Sequence, residues 1–174
     1  MEQLRYPIGE FKREGKLDEL ARASLIGMLS QAPALLSQAV SGLTEQQQDS
    51  PYRPDGWTVR QVVHHLADAS MNGYIRTKLL LTEEQPMVKP FDEDSWAQLP
   101  DTKNAPIELS LTLHDRLHRR WVMLLKSIPA GSFERSYNHP ANGLWSLDDA
   151  LAFFAWHNRH HTTHITSLRK RMDW

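Results

Sequence analysis

The chain of 174 residues has no cysteine, which excludes a disulfide framework, a thiol nucleophile and every cysteine-containing metal site. Any metal-ligand set must be nitrogen and oxygen. It also lacks an excess of charge: 20 Lys+Arg stand against 21 Asp+Glu, for a formal net charge of −1. The clearest basic run, Arg169-Lys170-Arg171, is too short to grip a phosphate backbone, so no nucleic-acid partner is expected. Uninterrupted apolar stretches are only a few residues long, and the opening MEQLRYPIGEFKREGK has no apolar h-region. Neither a membrane partner nor export is expected, and the composition fits the cytoplasm. The length suits a single domain over 1–174 that needs no metal or crosslink merely to hold a core. A metal here would serve chemistry. Histidine is what the chain has in quantity: nine, of which four fall between positions 157 and 164.

Apolar spacing of three and four residues predicts four helices and no convincing strand set, an all-α domain. The first helix spans about Leu17 to Val40, with Pro33 expected to kink or restart it. The second starts at Thr58, which forms a capping box with Gln61, and runs to about Leu81. Residues 83–105 contain three prolines and no sustained period, a connection of about 23 residues that is long enough to suggest a function or an interface. The third helix opens on Pro106 and ends before Ile128-Pro129, with Ile107, Leu111 or Leu113, Leu117, Trp121, Leu124 and Leu125 as its apolar stripe. Residues 129–145 are turn-rich and have room for a short hairpin. Ser146 caps the fourth helix, with Asp148 and Asp149 at its positive end and Arg169, Lys170 and Arg171 at its negative end. Four amphipathic helices with long connections imply a four-helix bundle whose interior can hold a site.

The chemistry sits in WHNRHHTTHI, residues 156–165. Residues four apart share a helix face, so two chelating pairs are available, His157 with His161 and His160 with His164. The apolar stripe through Leu147, Ala150 or Leu151, Phe154, Ile165 and Leu168 contains His157 and His161. His160 and His164 are rotated away, to stand behind the ligands or at the surface. Two imidazoles in place of core apolar groups are costly unless something satisfies their nitrogens, and a divalent metal does so. A third ligand must come from another helix. In VRQVVHHLAD, His65 is flanked on its face by Val62, Leu66 and Ala69, whereas His64 shares its face with Arg60, Gln61 and Asp68, which selects His65. Three histidines with an open position suit zinc, and equally nickel, cobalt, manganese or iron. The run is no metalloprotease motif, because Asn158 stands where HExxH has its Glu. The tryptophans read as core packing, and Asp68, Arg60 and Arg76 as surface or ion-pair residues. Asp68 is also placed to orient a histidine, while His114, His118 and His139 read as structural.

The motifs RYPIGEF at 5–11, SPYRPDGWTVRQVVHHLAD at 50–68, MNGYIRTKLLLTEE at 71–84, KPFDEDSWAQL at 89–99, LHRRW at 117–121 and ALAFFAWHNRHHTTHI at 150–165 resemble the DinB superfamily, within it the YfiT-like branch of metal-dependent hydrolases and bacillithiol transferases. The resemblance covers nearly the whole chain. It implies a DinB-like four-helix bundle, one metal per chain (zinc or nickel) on His65, His157 and His161, and a cytoplasmic homodimer. One departure is visible: where relatives read DSHMN, this chain reads DASMN, with Ser70 at the histidine position.

The resemblance implies first a low-molecular-weight-thiol S-transferase of the bacillithiol type, whose partners are a small thiol and a small-molecule electrophile. The alternatives are a metal-dependent hydrolase using metal-bound hydroxide, and a non-catalytic metal-binding bundle. The inner helix faces offer no clear carboxylate as general base, so no catalytic acid or base and no organic cofactor site is assigned.

Overall fold

Helix α1 (Glu19–Val40) begins where Asp18 caps it, its carboxylate accepting from the Ala21 N–H at 2.7 Å. Helix α2 (Val59–Thr82) opens on the Thr58–Gln61 capping box. Helix α3 (Ile107–Ser127) starts behind Pro106 and ends at Ile128, which is held extended before Pro129. Helix α4 (Leu147–Met172) opens on a second capping box, Ser146 with Asp149. The computed structural model describes residues 2–174 and packs these four helices into a bundle.

In this bundle α1 packs on α3 and α4, and α2 packs on the same two. The sequence neighbours α1 and α2 therefore sit diagonally, as do α3 and α4. A chain that connects diagonal helices needs more than a tight turn. Between α1 and α2 it makes a helical turn at Glu45–Gln48 and a loop, anchored by the buried Tyr52, that leads to Thr58. Between α3 and α4 run a 3-10 turn, Ala130–Glu134, and an antiparallel hairpin of β1 (Ser136–His139) and β2 (Gly143–Ser146). Residues 83–105 are not a plain loop. They form turns at Glu93–Ala97 and Pro100–Asn104, and Met87 bridges to Asn138.

Helix α1 runs unbroken through Pro33, so it does not restart there. A proline at 33 cannot donate to the carbonyl of Leu29 four residues back. His118 on α3 takes its place: its Nδ1–H donates to Leu29 O at 2.9 Å, and its Nε2 accepts from the Ser70 hydroxyl at 3.0 Å. Replacing His118 with alanine is expected to cost about 3 kcal/mol, from a cavity plus an orphaned buried carbonyl. The double variant with Pro33→Ala should recover part of that, because residue 33 regains an N–H. Urea unfolding of the three proteins checks both expectations. Helix α1 is also long and apolar enough, by length and composition, to cross a bilayer. Its Leu29 and Leu36 are nonetheless fully buried in the bundle.

The buried face of α3 carries Ile107, His114, His118, Trp121, Val122 and Leu125, so the expected leucine stripe is displaced at its centre, and Leu113 is exposed. His118 satisfies both ring nitrogens, as above, and His114 one, through Nε2 to Asn158 Oδ1 at 2.9 Å, while its buried Nδ1 has no partner among the described residues. Gly73 on α2 is set by close approach, since a Cβ there would lie 2.5 Å from Phe154 Cζ and 2.6 Å from Trp121 Cη2. Trp121 is a core residue as expected, whereas Trp57 and Trp145 are only partly buried and line a cavity.

Candidate metal centre

Helix α2 presents His65 between the buried Val62, Leu66 and Ala69, and the neighbouring α4 presents His157 and His161 one turn apart. The structure thus brings together the three residues that the helix faces select. One ring nitrogen of each lies within 4.8 Å of the others, and His65 Nε2 is 3.2 Å from His157 Nε2. Aromatic packing fixes the rings: Trp57 lies 4.6 Å from His65 by ring centroids, and Phe153 stacks on His157 at 5.3 Å.

Burial pushes the His65 pKa down to about 3, and burial together with the neighbouring imidazoles drives His157 and His161 well below the usual histidine range. All three rings are therefore neutral at pH 7, the protonation state that a metal ligand needs. Two neutral Nε2 atoms at 3.2 Å leave lone pairs facing each other unless a proton or a cation lies between them. The Nδ1 atoms of His157 and His161 are buried without hydrogen-bond partners. This nitrogen-only set, neutral and converging beside a cavity, fits a divalent cation with an open position.

His160 and His164 are buried, not at the surface. His164 stacks on Tyr52 at 3.9 Å and its Nε2–H donates to Arg5 O at 3.0 Å, while His160 stacks on Trp156 at 4.5 Å. Together with His161 they form a second group of nitrogens within 4.8 Å. His64 faces α3, contacting Ser110 Oγ at 2.7 Å and Ala105 O at 3.2 Å. Burial, with Asp101 nearby, raises the Asp68 pKa to about 6, yet among the described residues its carboxylate bonds to none of the histidines. Arg60 is paired with Asp49 at 2.7 Å, as an ion-pair residue should be. His139, read from sequence as structural, and Arg76, read as a surface or ion-pair residue, both line the cavity above the three histidines.

That cavity, of about 1060 Å³, is assembled from segments far apart in sequence. The N-terminal segment brings Tyr6 and Phe11, the approach to α2 brings Trp57, residues 83–105 bring Phe91, and the hairpin brings Tyr137 and Trp145. Part of the long connection thus lies over the site, with the Phe91 ring 6.4 Å from that of His65. Sequence reasoning missed the carboxylates of Asp55, Glu93 and Asp94, which also line the cavity. Asp55 lies on a loop and the other two in a helical turn of five residues, too short for periodicity to mark an inward face. The exposed Glu93 and Asp94 follow Asp92, whose side chain caps their helical turn, and that cap was the one available signal.

Comparison with known proteins identifies relatives over the whole chain. A protein of Bacillus mycoides (strain KBAB4) named "Putative metal-dependent hydrolase" is 48% identical over 174 residues, covering the whole of both chains. A protein of the same designation from Bacillus cereus (strain B4264) is 49% identical over the same span. The solved structure of YfiT from Bacillus subtilis, described as a probable metal-dependent hydrolase with an unusual four-helix bundle topology, superposes with a TM-score of 0.97 at 47% identity and covers 99% of each chain. The sequence profile of the DinB superfamily matches residues 28–165, and the chain belongs to that superfamily.

Proposed function

We propose that this is a metal-dependent enzyme in which His65, His157 and His161 hold one divalent cation, zinc or alternatively nickel. The reaction we assign is transfer of a small thiol of the bacillithiol type to an electrophile. The observation that carries the reading is the convergence of three neutral imidazoles on one wall of an aromatic-lined cavity, with no carboxylate bonded to them among the described residues. When bound, the cation supplies positive charge that lowers the pKa of a thiol or a water. Neutral ligands leave that charge undiminished. Trp57, Phe91 and Phe153 exclude water and offer flat apolar surface to an aromatic electrophile. In the transfer the thiol proton passes to solvent, a carbon–sulfur bond forms as the carbon–halogen bond of a haloaromatic breaks, and the halide leaves as the anion.

Hydrolysis is the second reading. The names of the relatives favour it, and Asp55, Glu93 and Asp94 offer bases on the cavity wall. The test compares thiol conjugation to a haloaromatic with hydrolysis of a nitrophenyl ester, in the zinc-loaded wild type and in His157→Ala, across several thiols. Faster conjugation, lost about a hundredfold or more in the variant, supports transfer. Metal-dependent ester turnover indifferent to thiol assigns the hydrolase. We further place the protein in the cytoplasm as a single-domain homodimer, on the family resemblance. Sedimentation at micromolar concentration should give twice the chain mass.

A further inference from the structure

Arg76 is a feature of the cavity that the proposed reaction leaves unused. It lies on α2 eleven residues after His65, about three turns or 16 Å of helix rise away, on the stripe that also carries Ala69. Among the described residues, no carboxylate oxygen comes within 4.0 Å of its guanidinium. One donor is accounted for, Nη2–H to Lys89 O at 3.0 Å. The buried phenol of Tyr137, on the hairpin, lines the same cavity close to the guanidinium. Burial lowers the Arg76 pKa and raises that of Tyr137, so the first is a partly desolvated cation and the second a neutral hydroxyl donor. The other arginines of the cavity differ. Arg13 is paired with Asp149 at 2.8 Å, Arg53 turns back onto Tyr52 Oη and Pro54 O, and Arg5 is exposed.

A guanidinium held partly out of water without a counter-ion, beside a hydroxyl donor, is built to receive an anion. We propose that Arg76 and Tyr137 form a carboxylate-binding subsite, so that the substrate carries a carboxylate at the end opposite the atom that meets the three histidines. A carboxylate fits better than a phosphate dianion. One planar fork matches its two oxygens, and Glu93 and Asp94 on the same cavity disfavour a second negative charge. The position of the reacting end rests on the metal reading above, while the subsite itself does not.

The probes are 8-mercaptooctanoate and 8-mercaptooctan-1-ol, titrated into cobalt-loaded protein and followed by thiolate-to-cobalt absorption. Octanoate and octyl phosphate are titrated into metal-free protein and followed by tryptophan fluorescence. The wild type should bind the mercapto acid about ten- to a hundredfold more tightly than the alcohol. Arg76→Gln, whose amide can still donate to Lys89 O, should lose that preference with metal content and alcohol affinity unchanged, and Arg76→Lys should restore part of it. Equal binding of acid and alcohol by the wild type, or a preference that survives in Arg76→Gln, overturns the subsite. Tighter binding of octyl phosphate than of octanoate overturns the carboxylate assignment. Should the wild type take up no metal, the three-histidine reading falls, and the octanoate titration of wild type against Arg76→Gln still decides the subsite.

Discussion

Substituting His157 or His161 with alanine is expected to abolish stoichiometric metal, and His65→Ala to do the same, while His160→Ala and His164→Ala largely retain it. Elemental analysis of the untagged proteins reads the result directly. The reverse pattern would move the site to the second histidine group, which shares His161. The expected pH dependence follows from burial. An exposed histidine would release metal as pH falls through 6.5, but the site imidazoles resist protonation to far lower pH, so metal should persist well below that value. Stability of the metal-free protein behaves differently. His65, His114, His118, His160 and His164 have folded pKa values of about 3 to 4 against 6.5 for the ordinary group. Below pH 6.5 the unfolded chain binds more protons than the folded one. Their contribution is thus fully present above 6.5 and is lost as pH falls from 6.5 toward 3. Metal should oppose that loss, so the midpoint of acid unfolding is expected to drop on loading with zinc.

The largest stability effect is expected at Asp148. Its carboxylate is almost wholly buried and accepts from Arg22 Nε at 2.7 Å, Arg22 Nη2 at 2.8 Å and the Leu17 N–H at 3.0 Å. The bond raises the Arg22 pKa, as a charge-assisted fork should. The pair ties α1 to the first turn of α4, the helix that carries His157 and His161. Asp148→Ala leaves both a cation with little access to water and a buried backbone donor without partners, at a cost of about 3–5 kcal/mol. Arg22→Met combined with Asp148→Ala removes the stranded charge and should be less destabilised than the sum of the single changes. Denaturant unfolding of the cycle tests this. Equal stability of Asp148→Ala and wild type would show the pair to be idle. The adjacent Asp149 is the control for helix capping, since it bonds to Ser146 and Arg13 instead.

What the sequence by itself determined is local. A helix repeats every 3.6 residues, so which side chains share a face follows from spacing alone. That periodicity placed His65 among Val62, Leu66 and Ala69, and His157 and His161 in the apolar stripe of α4, before any packing was known. The caps at Thr58 and Ser146 were legible for the same reason, because a cap reaches only three residues. The tertiary structure decided whatever depends on partners. Leucine periodicity misplaced the centre of the α3 face, because His114 and His118 become core residues only where Asn158, Ser70 and the carbonyl freed by Pro33 meet them. The diagonal order of the helices left no trace in spacing. Arg76 read as a surface or ion-pair residue until the fold set it in one cavity with Tyr137 of the hairpin, and Asp55, on a loop, and Glu93 and Asp94, in a single helical turn, have no period to mark an inward face. Desolvation, which sets the charge state of every histidine at the centre, is a property of the assembled bundle, since it depends on how much water the other helices remove.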